Sequence, residues 1–223
     1  MQQKVFENKK VPYAWNFNNL NISYFEIPKT GSSSTKTLLF QKNFALREKD
    51  SLDIAKGRLK HQYAEAVLRN FKSDGMQNRV LIVYRNPISR AKSVYRHVFL
   101  GMHRLKGSMS DYLANYLEDF LHMDPIDSLY NHHKPMTWFF PNYLIEDSRS
   151  IFIETEELKK LPDLLGFEAN KKQEQVHMPH LLKMDKNKGD IDLNDDEIRV
   201  ALGPYFNKDF ELFDKLGEER QNR

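Results

Sequence analysis

Short apolar runs closed by turn formers alternate along this chain with stretches whose apolar residues recur every three or four positions. That alternation predicts strands interleaved with helices. Ile22 to Ile27 reads as a strand, and Pro28 marks its exit because proline donates no ladder hydrogen bond. Arg79 to Tyr84, with Val, Leu, Ile, Val and Tyr after the opening Arg, reads as a buried strand, and Arg149 to Ile153 as a third. A helix is expected from about Ser32. Another is expected to open at Lys60-His61-Gln62-Tyr63, with Ala64, Val67, Leu68 and Phe71 as its apolar face. Asn86 suits an N-cap and Pro87 the first helical position, so a helix starts there with Ile88, Ala91, Val94, Tyr95 and Val98 facing the core.

Further helical patterns cover Ser110 to Leu121 and surround Met136 to Phe140. Thr155 is placed to cap a helix that opens with Glu156-Glu157 and ends near Gly166. Asn194 with Glu197 makes a capping box, and Gly203-Pro204 is expected to stop that helix. A last amphipathic helix, with Phe206, Phe210, Phe213 and Leu216, is expected to end at Gly217. The expected fold class is α/β, a parallel β-sheet flanked by helices. With 223 residues, 40% of them hydrophobic, and no repeat or long linker, residues 1–223 are expected to form one domain.

The richest chemistry lies between the first strand and its helix, in Phe-Glu-Ile-Pro-Lys-Thr-Gly-Ser-Ser-Ser-Thr-Lys-Thr, residues 25–37. Gly31 lets the turn take positive φ, and a helix starting near Ser32 would aim its unpaired N–H groups and positive dipole end at one point. An anion belongs there. The common triphosphate loop needs Gly-Lys-Ser/Thr after a glycine and four residues, but counting from Gly31 the pair Lys36-Thr37 comes one place early and the second glycine is missing. After the second strand, Arg85 offers a planar fork suited to phosphate oxygens, and Ser93 offers a hydroxyl roughly 10 Å along the next helix. Together they can pinch a phosphate. In open α/β sheets ligands bind beyond the carboxyl ends of the strands, where Lys29 and Arg85 would both sit.

Ile27-Pro28-Lys29-Thr30-Gly31-Ser32-Ser33-Ser34 resembles the 5′-phosphosulfate loop of sulfotransferases that use 3′-phosphoadenosine 5′-phosphosulfate, and leans toward the carbohydrate-type and bacterial members. The Arg85 to Ser93 separation is similar to that family's 3′-phosphate motif. The resemblance implies a P-loop-like sulfotransferase fold, this donor with 3′,5′-bisphosphoadenosine as its product, and an alcohol acceptor, with carbohydrate the favoured class. It implies donor binding by Lys29, Thr30, Gly31, Ser32, Ser33, Ser34, Arg85 and Ser93, with Lys29 also stabilising charge. His61 falls between the two motifs, as does the family's basic dipeptide, and is implied to take the acceptor proton; imidazole titrates near working pH. Glu65, one turn on, is the substitute. A basic, glycine-containing loop at Lys183 to Gly189 is the segment that could close over the nucleotide. No metal is expected, because a transferring sulfonate bears one charge fewer than a phosphoryl group, whose transfer needs magnesium.

Composition narrows the alternatives. A net charge of +3 is too small to argue for nucleic acid, and no nucleic-acid partner is expected. Basic residues do gather, at Arg85, Arg90, Lys92, Arg96 and His97 and again from Lys171 to Lys188, and solvated charge is the ordinary explanation. No apolar run reaches the roughly eighteen residues of a membrane span, and the first ten residues lack a signal's apolar core. Zero cysteines excludes disulfides and thiolate chemistry, and makes a reducing cytoplasm the simplest home, although a lumenal fragment trimmed of its anchor would look alike. His132, His133, Lys134 and Trp138, Phe139, Phe140 could line an acceptor cleft, against the reading of the aromatic three as core. Two other functions stay open: a magnesium-ATP kinase that would depend on Lys36, and a non-catalytic polyanion binder with steep salt dependence.

Overall fold

A computed structural model describes residues 13–55, 68–70, 78–123, 130–167 and 190–221. They group into two compact units, one drawn from Lys9–Tyr84 and Phe139–Leu182, the other from Arg85–Trp138 and Lys183–Arg223. The first holds a five-stranded sheet: β1 (Tyr13–Phe17), β2 (Ile22–Phe25), β3 (Leu68–Asn70), β4 (Arg79–Tyr84) and β5 (Ser150–Glu154), in the order β3-β1-β2-β4-β5. β2, β4 and β5 run parallel, with Tyr24 opposite Leu81 and Ile82 opposite Phe152. The α/β class is therefore as expected, with β1 antiparallel to both β2 and β3 at the other side of the sheet.

β1 escapes the apolar pattern because Tyr-Ala-Trp-Asn-Phe is short and mixed, and what makes it a strand is its partner. Asn16 stands opposite Ser23, whose hydroxyl donates to its side-chain oxygen at 2.8 Å inside the sheet. The helix expected to run from Lys60 to Phe71 is corrected at residues 68–70, which pair with Tyr13–Trp15 as β3. A four-residue apolar spacing fits either period, and cross-strand pairing decides between them. His61 and Glu65 lie outside the described residues, as does the segment Lys183 to Gly189.

Two helices, α1 (Ser32–Phe44) and α2 (Glu48–Ala55), flank the sheet. Leu38, Leu39 and Phe40 of α1 pack with Phe17, Ile22, Tyr24, Leu81 and Val83. After β5 the chain turns through a 3₁₀ segment, Thr155–Lys160, into α5 (Leu161–Leu164; α3, residues 87–94, and α4, residues 109–122, belong to the other unit). Thr155 is not the cap it was expected to be. Glu154 holds the N-cap position, and the Thr155 hydroxyl donates instead to the Tyr84 carbonyl at 3.0 Å, tying the ends of β4 and β5.

The second unit is helical. α3 (Pro87–Val94) continues as a π-helix over Tyr95–Met102, and α4 runs from Met109–Asp111 through a π segment, Tyr112–Tyr116, into Leu117–His122. Tyr95 and Phe99 of the first meet Tyr112 at tilted angles, and Phe99 meets Tyr116 of the second edge-on. The helical pattern around Met136 to Phe140 resolves to a single 3₁₀ turn, Met136–Trp138. The Asn194–Glu197 capping box is present, with reciprocal bonds of 2.8 and 3.0 Å. The span Asp195–Gln221, labelled α6, is two helices that meet at a non-helical Phe206 (φ −118°, ψ 15°), so the first ends within two residues of the expected stop at Gly203-Pro204, whereas the second runs past Gly217. Ile198 and Leu202 of the first helix and Phe206 and Phe210 beyond it belong to one core, and the break lies where proline removes a helical hydrogen bond.

A polar network sits inside this unit. Arg90 (2% exposed) donates to the His132 carbonyl at 3.1 Å, and Asp209 (0%) accepts from the N–H groups of Met136 and Thr137. Arg90, which by sequence belongs with solvated charge, is core. His133 and Lys134 are buried too, which corrects their place in an acceptor cleft. His133 hydrogen-bonds Tyr112 through Nδ1 at 2.9 Å, and Lys134 donates to the carbonyls of Leu121 and Met123. Burial, then the charges of His103, His132, Arg90 and Lys134, hold the His133 imidazole down to about 3, so it is neutral at working pH. In the sheet unit, Phe140 is buried edge-on to Phe152.

Candidate active site

The loop after β2 is built by backbone constraint. Ile27 is buried, Pro28 follows, and Lys29 takes a left-handed φ of 68°. A non-glycine residue there costs roughly 1–2 kcal/mol, so the neighbours must hold it. Thr30 does part of this: its buried hydroxyl donates to the Ile27 carbonyl at 2.8 Å, closing the turn on itself. Gly31 is the N-cap of α1 at φ 81°, ψ 21°, and no side chain caps the helix. The first helical bond is Thr35 N–H to the Gly31 carbonyl at 3.0 Å. Ser32, Ser33 and Ser34 thus form the first turn, half-buried, with Lys29 two residues before the cap.

The hydroxyls one turn further in point back into the helix. Thr35 donates to Gly31 O at 3.2 Å and Thr37 to Ser33 O at 2.8 Å. Lys36, which a triphosphate loop would need, is likewise engaged elsewhere: its ammonium lies 2.7 Å from Glu26 Oε1 and 5.2 Å from the centre of the Trp15 ring. Trp15 Nε1 donates to the other oxygen of Glu26 at 2.9 Å. Sequence reading missed this triad. Its only signal is an acid and a base flanking the loop.

Gly31 is required twice over. Besides its positive φ, a Cβ there would meet Leu158 Cδ1 at 2.5 Å. Gly31→Ala is therefore expected to lower stability by about 2 kcal/mol, from left-handed strain plus displacement of a buried leucine, seen as a lower urea midpoint at unchanged slope. An unchanged midpoint would mean that the loop has another low-energy shape.

β2 and β4 are parallel neighbours, so their carboxyl ends lie at one edge of the sheet. The loop leaves the first, and Arg85 follows the second as the first residue of the helical unit. There Asn86 caps α3 as expected, its side-chain oxygen accepting from Ile88 N–H at 3.0 Å and Ser89 N–H at 3.1 Å, with Pro87 at the first helical position. Arg85 and Ser93 are both half-buried, and Ser93 lies on α3. Burial pushes Arg90 down to about 10, Asp209 pulls it up, and the Arg85 charge adds to the depression, so the two guanidinium groups of this helix start feel one another.

The model of the sulfotransferase family matches residues 14–215. The chain belongs to the sulfotransferase family. No curated protein and no solved structure matches it. As a sulfotransferase it is a transferase of sulfuryl groups, acting between a donor and an acceptor. The matched span takes in the Lys29 to Ser34 loop, Arg85, Ser93 and position 61. Among the described residues no three His, Asp or Glu side chains gather as a metal site would require, and no helix is long and apolar enough to cross a membrane.

Proposed function

We propose that this sulfotransferase moves a sulfuryl group from 3′-phosphoadenosine 5′-phosphosulfate to an alcohol, with carbohydrate the acceptor class. The observation that carries the reading is the left-handed Gly31 cap, with three serines in the uncapped first turn of α1 and Lys29 just before it. N–H groups of residues 30–34 and the hydroxyls of Ser32, Ser33 and Ser34 bind the 5′-phosphosulfate, the Thr30 hydroxyl being buried and committed to the Ile27 carbonyl, and Arg85 with Ser93 binds the 3′-phosphate. The acceptor oxygen attacks sulfur in line. As its bond to sulfur forms, the bond from sulfur to the bridging phosphate oxygen breaks, the acceptor proton passes to His61, and 3′,5′-bisphosphoadenosine leaves. Charge grows on the bridging oxygen during that step, and Lys29 answers it with a positioned ammonium. The sulfonate carries one charge fewer than a phosphoryl group, so the step asks for no magnesium. The engagement of Lys36 with Glu26 supports this reading over a triphosphate kinase, whose loop lysine must face the phosphates.

Arg85→Ala tests the donor assignment. It is expected to weaken 3′,5′-bisphosphoadenosine about tenfold to a hundredfold, the loss of a charge-assisted pair, while adenosine 5′-phosphosulfate, which lacks the 3′-phosphate, is little changed. Equal losses for both ligands would sink the pincer. His61→Ala should keep donor binding by calorimetry yet lose about 10²- to 10⁴-fold in turnover. Unchanged turnover would move the base to Glu65 or elsewhere.

A further inference from the structure

We propose that Glu26 and Lys36, backed by Trp15, form a staple that holds the two ends of the donor loop together, and that they are positioning residues for the sulfuryl donor. The proposal rests on the reading of residues 29–34 as the donor loop, and it assigns work to residues which that reading leaves idle. Glu26 is the first residue after β2, and Lys36 lies in the second turn of α1, so the pair brackets the whole loop. Their side chains meet at 2.7 Å, with that of Lys36 only 10% exposed.

Three features make this a fixed joint rather than a surface ion pair. First, both carboxylate oxygens of Glu26 are used, Oε1 by Lys36 and Oε2 by the Trp15 indole N–H, which sets the plane of the carboxylate. Second, the Lys36 ammonium also stands over the Trp15 ring, an attraction that gains strength away from water. Third, Trp15 belongs to β1 and pairs in register with Tyr24 of β2, so the joint is anchored in the sheet. An acid after the strand, a base in the helix and an aromatic from the next strand therefore converge.

The loop needs such a joint. Lys29 is held in a left-handed conformation that a side chain disfavours, and strain of this kind persists only where the surroundings over-determine it. Thr30 fixes the middle of the turn, but the bond it makes spans only residues 27–30. Apolar packing seats α1 on the sheet, and the Glu26 to Lys36 contact adds a directional tie between the end of β2 and the second turn of α1, across the loop itself. Pre-organised donors bind an anion without reordering at the moment of binding, so a relaxed loop should grip less well. The staple also gives Lys36 a role that never touches the ligand.

The test uses the full chain with Glu26→Gln and Lys36→Met, both close in shape to the native side chains, their double variant, and Lys36→Arg. Amide hydrogen exchange over residues 29–34 without ligand reads the loop itself, and calorimetry with 3′,5′-bisphosphoadenosine reads its grip, at a temperature where thermal scans show every variant folded. Each single variant is expected to speed exchange of these amides and to weaken the bisphosphate about tenfold, with the double variant no worse than the poorer single, as coupled residues behave. Lys36→Arg should stay near the native protein. Additive losses, or folded variants with native exchange and native affinity, would overturn the staple. Loss of binding in Lys36→Met together with stronger binding in Glu26→Gln would make Lys36 a direct ligand and also overturn it. A native protein that fails to bind the bisphosphate refutes the donor reading instead, and the exchange measurement still decides whether the staple holds the loop.

Discussion

Lys29→Ala is expected to cost about 10²- to 10³-fold in turnover, the scale at which removal of one positioned charge-stabilising group acts, while leaving the fold in place. The backbone gives the reason for the second half. Lys29 already sits at φ 68°, and alanine there bears a similar left-handed cost, so the exchange removes the ammonium without adding strain. The first half follows from where charge appears. The donor's bridging oxygen is only partly negative in the ground state and becomes more so as its bond to sulfur lengthens, so the ammonium acts more strongly on the transition state than on the bound donor. Turnover should therefore fall further than donor affinity, with an unchanged thermal midpoint. Full activity in the variant would remove Lys29 from the chemistry.

Asp209→Ala should be the most damaging single change to stability, at about 3–5 kcal/mol, the scale for breaking a buried charge pair from one side. Asp209 is fully buried and accepts three bonds: from Met136 N–H at 2.6 Å, from Thr137 N–H at 2.9 Å and from the Thr137 hydroxyl at 2.9 Å. It is also the negative charge that Arg90 feels inside the same unit. Burial pushes the Asp209 carboxyl up, and the hydrogen bonds from Thr137 and Met136 and the Arg90 charge pull against it. Taking the carboxylate away leaves three donors unanswered and removes the negative charge that offsets burial of the Arg90 guanidinium. A loss of this size is a large part of the roughly 5–15 kcal/mol that holds a domain together. Urea unfolding measures it. Pairing Asp209→Leu with Arg90→Met should cost less than the sum of the two single changes, because each single change strands a charge that the double change removes. Additive costs would show that the two groups do not compensate one another.

The parts of the fold that were legible in the sequence are those whose chemistry is local. Asn86-Pro87 specifies the start of α3 by itself, one residue supplying the cap and the next a pre-set φ. Gly31 before three serines likewise specifies a left-handed cap and an open first turn, and the run from Arg79 to Tyr84 can only be a buried strand. The parts that were not legible depend on partners far along the chain. β1 and the Leu68–Asn70 strand exist because they pair with each other, which no window around either reveals. Arg90 resembles its solvated neighbours until Asp209, more than a hundred positions later, is seen to supply its counter-charge. Gly203-Pro204 carries a stop signal that is local and was readable, and a non-helical Phe206 separates the two helices there; the run of the second helix past Gly217 was not. The candidate site divides in the same way: the loop from Lys29 to Ser34 was readable as a local motif, whereas the Glu26, Lys36 and Trp15 contacts that flank it were not.

The loop after β2 is proposed to grip the phosphosulfate end of an adenosine donor. Calorimetry of 3′,5′-bisphosphoadenosine beside ATP with magnesium tests it most directly, since neither titration requires the acceptor to be known. The expected result is tight binding of the bisphosphate that is indifferent to magnesium, with ATP much weaker. Preference for magnesium-ATP, or binding of neither nucleotide, would contradict it.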